Sequence, residues 1–491
     1  MTPQMTRQFL IAGAASALAI VMGYLVSSLG AEYTLVLVAI IVGALTTAIV
    51  FLSPRAGFYM LLISSVLARY EIPVGGVALR IDQLVLIPVV SGLALHVLPV
   101  ALGRKATGVS TPRSYIPTLI FAGFASYIGA NILSSSLFAP QPAESFKIVI
   151  WLLLSFMAFA AVYFVVGRYV TVREAFFAIL AAGFVSAAAG IIFYLMFQIA
   201  GIRIGVQLDP NPKAVGTFFE ANMFGSFQAF CALLGLSVLS SGRVRGWAFG
   251  MVLCGTLLSI VALVLSFTRA AWLGFLLGII VLALLQLRGG RSLALFALSG
   301  ILGSSVLLTL ISTGLLASLV ERFTSIGDLS SSTTAFRIDL FRIALAEWPS
   351  SPVFGLGTNS FGQRHFDPGQ DFAPAYLPSL FLVTLYDIGV IGLLTLLITF
   401  ALVVGAIVSV LWNGGWTGTI ALALLGGMAS MLVSYQATNT FWFSYNWLII
   451  AFAVKLYRMQ SLRGTTLFFR RESSYRRRGS PVYRMARLPE R

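Results

Sequence analysis

The chain alternates between apolar stretches of about 18 to 22 residues and short polar breaks, the pattern of a protein that crosses a bilayer many times. The stretches fall near 9–29, 33–52, 56–70, 83–102, 115–134, 147–167, 175–200, 221–240, 247–266, 270–287, 292–317, 378–412, 417–435 and 438–456. They predict an all-α integral membrane protein with about 12–14 transmembrane helices. The third stretch is short. The twelfth is too long for one simple span, which predicts a tilted or half-buried start.

One break differs from the others. Residues 318–377 form a polar segment far longer than a turn between membrane helices requires, so it has another job. Within it, 330–348 reads as an amphipathic helix with apolar cover from Phe336, Leu340, Phe341, Ile343 and Leu345. Trp348-Pro349 ends that helix, because the residue before a proline is pushed out of the helical region.

Composition sharpens this picture. Of 491 residues, 58% are hydrophobic and only 10% are charged, with a mean hydropathy of +0.95, values no soluble core could absorb. The net charge of +16 is unevenly distributed. Arg55, Arg104, Lys105, Arg113, Arg168, Arg173, Arg243, Arg245, Arg288, Arg291 and the basic tail after Lys455 fall on one face if the spans alternate. Glu32, Glu71, Asp82, Glu144, Asp209, Glu220 and the long loop fall on the other. Excess arginine and lysine marks the cytoplasmic side, so both termini are expected there and the long loop on the outer face. The tail reads as an orientation determinant that touches anionic lipid, not as a nucleic-acid site. The first stretch is longer than a signal-peptide core and is followed at once by another span, so it reads as an uncleaved helix. Cys231 and Cys254 lie inside spans and make no disulfide or zinc pattern. No Walker A sequence, dinucleotide fingerprint or HExxH occurs, which argues against an ATP-driven pump and a membrane metalloprotease.

The candidate chemistry lies on the expected outer face. Its arginines are Arg80, Arg203, Arg269, Arg322, Arg337, Arg342 and Arg364. Arg269 stands between two spans with almost no loop, where a guanidinium is costly unless it meets a polar cavity or an anion. The planar fork suits two-point contact with phosphate, although a snorkelling interface residue would look the same. Arg337 and Arg342 share the loop helix about 140° apart, and Arg337 with Asp339 could equally form a solvated face. His365 is the one imidazole on this face, and its ordinary pKa suits a general base. Glu220, Asp339, Asp367 and Asp387 are alternative bases. Asp387 lies inside the twelfth stretch, where an ionisable residue signals function.

Four short motifs occur in a telling order. They are Gly216-Thr217-Phe218-Phe219-Glu220-Ala221-Asn222-Met223-Phe224, Thr268-Arg269-Ala270, Arg337-Ile338-Asp339-Leu340-Phe341 followed by Pro352-Val353-Phe354-Gly355-Leu356-Gly357, and Pro378-Ser379, nine residues, then Gly389-Val390-Ile391-Gly392. Together they resemble the signatures of the O-antigen ligase and polysaccharide polymerase superfamily over about residues 200–395. Where the ligases carry a histidine, this chain has Pro378. His365, upstream in the same loop, could supply the imidazole instead, and polymerases that lack the histidine are the closer comparison.

The resemblance implies a GT-C-like, metal-independent glycosyltransferase with no cofactor. Its donor would be a glycan on undecaprenyl diphosphate, and its acceptor a second lipid-linked glycan or lipid A-core. Arg269, Arg337 and Arg342 would bind the diphosphate, with His365, Asp339 or Glu220 as the catalytic group. A chain-length regulator or flippase would be a partner, within the bacterial inner membrane. The chain then divides into N-terminal helices (1–200), a core with the loop (201–412, loop 318–377), C-terminal helices (413–456) and a basic tail (457–491). Two other readings compete: a lipid-linked oligosaccharide flippase, and a non-catalytic scaffold of an envelope machine. A flippase should bury charges along many spans and show internal repeats, and this chain concentrates its charges in one loop.

Overall fold

The computed structural model describes residues 31–69, 71–74, 77–103, 115–208, 212–286, 300, 332–365 and 377–478. Thirteen helices of three turns or more organise these residues: α1 (Ala31–Leu52), α2 (Pro54–Ser65), α3 (Ile81–Gly103), α4 (Ile116–Phe138), α5 (Pro142–Val165), α6 (Val172–Ala200), α7 (Ala221–Ser240), α8 (Trp247–Leu265), α9 (Arg269–Gln286), α10 (Ser332–Glu347), α12 (Leu380–Leu411), α13 (Gly415–Ser434) and α14 (Ser444–Arg478), with the short α11 (Ser360–His365) preceding α12. Extended structure among the described residues is limited to two antiparallel pairs, β1 (Glu71–Val74) with β2 (Val77–Arg80) and β3 (Val206–Gln207) with β4 (Lys213–Ala214).

Eight described helices, α4 to α9, α12 and α13, are long and apolar enough to cross a membrane. The protein is therefore a multi-pass, all-α membrane protein. The expected span at 9–29 and, apart from Gly300, the one at 292–317 lie outside the described residues, as do 318–331 and 366–376 of the long loop.

The bundle is built around α7, 94% of whose apolar window is buried. Helices α8, α9 and α13 pack on it. Small residues set the spacing, as expected where apolar side chains gain little by leaving lipid for protein. A Cβ on Gly278 would meet the Gly426 carbonyl at 2.9 Å, and one on Gly274 would meet the backbone of Ser430. The outer surface of the bundle is correspondingly apolar, with Val185 at 70% and Ile199 at 84% exposure. Such faces suit lipid tails.

The long twelfth stretch is one helix interrupted at Gly389, which has φ 68° and ψ −167°. The break is filled by the glycine-rich loop that follows α10. Leu356 N–H donates to the Tyr386 carbonyl (2.9 Å), Gly357 N–H to the Asp387 carbonyl (3.0 Å), and Val390 N–H to the Pro352 carbonyl (2.9 Å). These bonds replace those the interrupted helix cannot make, which is the condition for irregular backbone at membrane depth. The contact is backbone on backbone: a Cβ on Gly355 would overlap the Asp387 carbonyl, and one on Gly389 would overlap that of Val353. Two of the sequence motifs thus interlock.

Candidate functional site

Helix ends and loops gather at the end of the bundle that carries α10. The β1–β2 hairpin, the α4–α5 turn, the segment before α7, the α8–α9 turn and the α13–α14 loop all lie there. Arg69 N–H donates to the Thr217 carbonyl (3.0 Å), and Leu380 N–H donates to the Tyr435 carbonyl (2.8 Å). The Ser134 hydroxyl on α4 donates to the Asp387 carbonyl (2.6 Å).

Glu220 precedes α7 and is half-buried, with its Oε1 accepting the Thr438 hydroxyl at 2.6 Å. Burial pushes its carboxyl above the ordinary carboxylate value, against the Thr438 hydrogen bond and the charges of Arg337 and Lys213. Arg337, on the first half of α10, is therefore close enough for its charge to act on Glu220. Arg269 opens α9. The preceding Phe267 has φ 50°, and Ser266 and Thr268 share a hydroxyl contact of 2.7 Å. A Cβ on Gly225 would run into Thr268 and Ser266, so this turn rests on the first turns of α7. Glu220 lies five residues before Gly225, or about 7.5 Å along a helix axis. Arg269 and Arg337 are thus both tied to the Glu220 end of α7.

The other end of α10 carries a second cluster. Glu347 Oε1 stands 2.9 Å from His365 Nε2, and its Oε2 accepts the Tyr386 hydroxyl at 2.5 Å. Burial pushes the Glu347 carboxyl up, but the Tyr386 and His365 hydrogen bonds and the nearby charges of His365 and Arg364 outweigh it and hold it below its usual value. The imidazole lies against the Phe361 ring, with centroids 4.6 Å apart. Phe361, Tyr386, Leu377, Leu340, Ala344, Leu356 and Val383 form one small apolar cluster. Leu377 adjoins Pro378, so His365 occupies the neighbourhood of Pro378.

The remaining candidates separate from these clusters. Asp339 and Arg342 form an exposed pair at 3.2 Å, with side chains 64% and 77% exposed. Arg80 is 2% exposed and bonds Asp82 at 3.1 Å, with its guanidinium over the Trp151 and Phe443 rings. Ser444 donates to the other Asp82 oxygen (2.8 Å), so the pair fastens the hairpin to the start of α14. Asp367 lies outside the described residues. Asp387 is 6% exposed; its Oδ2 accepts Asn359 N–H (2.9 Å), and its Oδ1 has no hydrogen-bond partner among the described residues. It borders a cavity of about 30 Å³ with Asn131, Thr358 and Asn439, enough for a water molecule. No group of three or more histidine, cysteine or acidic residues with metal-site spacing occurs among the described residues.

The polar groups thus gather at one end of a helical bundle whose described spans are apolar enough to cross a membrane. Residues 254–397 match the family model described as O-Antigen ligase. This supports the O-antigen ligase and polymerase superfamily and, with it, an O-antigen ligase-like membrane enzyme. No curated protein matches the chain. The matched segment contains Arg269, Arg337, Glu347, His365 and Asp387. The pairing of His365 with Glu347 and Tyr386 is not visible in the sequence; the only signal was the clustering of polar residues in one loop.

Proposed function

We propose that the protein is a glycosyltransferase that extends a polysaccharide from a glycan carried on undecaprenyl diphosphate, at the outer face of the membrane. The observation that carries this reading is the Glu347–His365 pair within the segment that matches the ligase family.

In this reading Arg269 and Arg337 bind the diphosphate and take up the negative charge that develops as the glycosidic bond breaks. His365 accepts the proton of the attacking acceptor hydroxyl. Glu347 orients the imidazole, as a carboxylate beside a catalytic histidine does. Arg337 and Glu347 are ten residues apart on α10, about 15 Å between Cα positions. The arginine side chain and the imidazole shorten that gap, leaving room for the first sugar between leaving group and base. Pro378 at the ligase histidine position favours a polymerase, with a second lipid-linked glycan as acceptor. The family description favours the second reading, a ligase acting on lipid A-core.

A deletion strain complemented with wild type, Arg269→Ala, Arg337→Ala or His365→Ala, at matched membrane expression, separates these readings. Single unextended repeats in the deletion and in the variants identify a polymerase. Full-length polymer left on the lipid carrier identifies a ligase. Full complementation by all three variants removes the catalytic reading.

A further inference from the structure

The opposite end of the bundle holds a cavity of about 440 Å³ that the transfer reaction does not use. It opens between the α5–α6 turn, the start of α13 and the middle of α14, and three arginines line it: Arg55, Arg168 and Arg173. Each guanidinium is held in place. Arg55 Nε donates to the Tyr169 carbonyl (3.1 Å), Arg168 lies 5.1 Å from the Tyr169 ring centroid, and Arg173 lies 4.5 Å from that of Trp416. Lys455 is next to them, since a Cβ on Gly167 would meet its Cε at 3.0 Å.

The charges do not balance. Among the described residues only Glu174 answers these cations, 3.5 Å from Arg55. Among the described residues Arg168 and Arg173 make ring contacts and no ion pair. Guanidiniums held against aromatic faces keep their N–H edges free for an oxyanion. The floor adds neutral donors, with Gln460 held by Thr417 at 2.6 Å. The cavity sits at the helix ends that carry the basic loops, where headgroups lie, and it has aromatic side chains of the type that favour that depth. Basic pockets between membrane helices on this side take phosphate headgroups.

We propose that this cavity binds the phosphate of an anionic membrane lipid, Arg168 and Arg173 being its main contacts. This inference is independent of the glycosyltransferase reading.

The test is thermal unfolding of the delipidated protein in detergent. It compares added phosphatidylglycerol, phosphatidylcholine and inorganic phosphate, for wild type, Arg168→Gln/Arg173→Gln and the exposed control Arg245→Gln. Phosphatidylglycerol should raise the wild-type and control Tm by about 2–4 °C and leave the double variant unmoved. An equal rise with phosphatidylcholine, or an undiminished rise in the double variant, overturns the proposal. A rise with inorganic phosphate alone equal to that with lipid would make this a free-anion site and also overturn it. Should the double variant fail to fold, native mass spectrometry of the wild type and of Arg168→Gln decides. Selective retention of phosphatidylglycerol that the variant loses supports the site, and retention no different from phosphatidylcholine overturns it.

Discussion

Glu220 and Glu347 are two carboxylates associated with opposite ends of one helix, and their surroundings push them in opposite directions. Glu220 loses water, and the Thr438 hydroxyl and the charges of Arg337 and Lys213 do not offset that loss, so its proton is held more tightly than usual. Glu347 is also desolvated, but direct bonds from Tyr386 and His365 more than compensate, so it stays ionised. A carboxyl held below its usual pKa beside an imidazole suits the support of a base, whereas one whose proton is held more tightly than usual competes less with a diphosphate for a neighbouring arginine. In the proposed reaction Arg337 serves the leaving group and His365 accepts the proton.

The largest expected effect comes from the leaving-group end. Arg337→Ala should lower transfer by about 10²–10³-fold, the usual cost of removing a group that meets developing charge. A steady-state assay on membranes checks this, and a loss in KM alone would reassign Arg337 to ground-state binding.

His365→Ala should cost about 10²-fold, the lower range for a general base. Glu347→Gln should lose less activity but change the pH profile of kcat, a change that a purely structural role would not produce.

The two carboxylates also predict opposite pH trends in stability. A carboxyl whose pKa is lowered on folding stabilises the fold above its ordinary pKa and loses that contribution as pH falls through the lowered value. Glu347→Gln should therefore destabilise the protein at neutral pH, with the difference fading below about pH 4. A carboxyl whose pKa is raised contributes at low pH and loses that contribution as pH rises through the raised value. Glu220→Gln, which can still accept the Thr438 hydroxyl, should cost least stability at high pH. Thermal unfolding across about pH 3–9 for both variants tests the pair of trends, and parallel trends would break the comparison.

The smallest effect belongs to the exposed Asp339–Arg342 pair. Asp339→Asn or Arg342→Ala should change stability by less than about 1 kcal/mol and leave transfer near wild type. A severe loss of transfer in Arg342→Ala would return that residue to the diphosphate site.

Much of the architecture was legible in the sequence because membrane spans are written in long apolar runs, which need no tertiary information to read. The length of the twelfth stretch marked it as more than one simple span, but the expectation was a tilted or half-buried start, not a break. What the sequence did not reveal was the cause, a glycine loop from some thirty residues upstream inserted at Gly389. The four motifs marked segments that lie at one end of the bundle, but not which of their side chains pair. His365 and Glu347 meet across a turn that reverses the chain at Gly355 and Gly357, and no periodicity links them. Arg80 looked equivalent to the other arginines of its face, but the hairpin folds it between two aromatic rings onto Asp82. Charge identity was visible in the sequence, whereas burial and partner choice depended on packing.

The most direct test is transfer by the purified protein in proteoliposomes supplied with a polyprenyl-diphosphate-linked glycan, comparing wild type with Arg337→Ala and His365→Ala. The account predicts elongated lipid-linked product from wild type, with both variants at least about 10²-fold slower and correctly folded. Wild-type rates in both folded variants would contradict it.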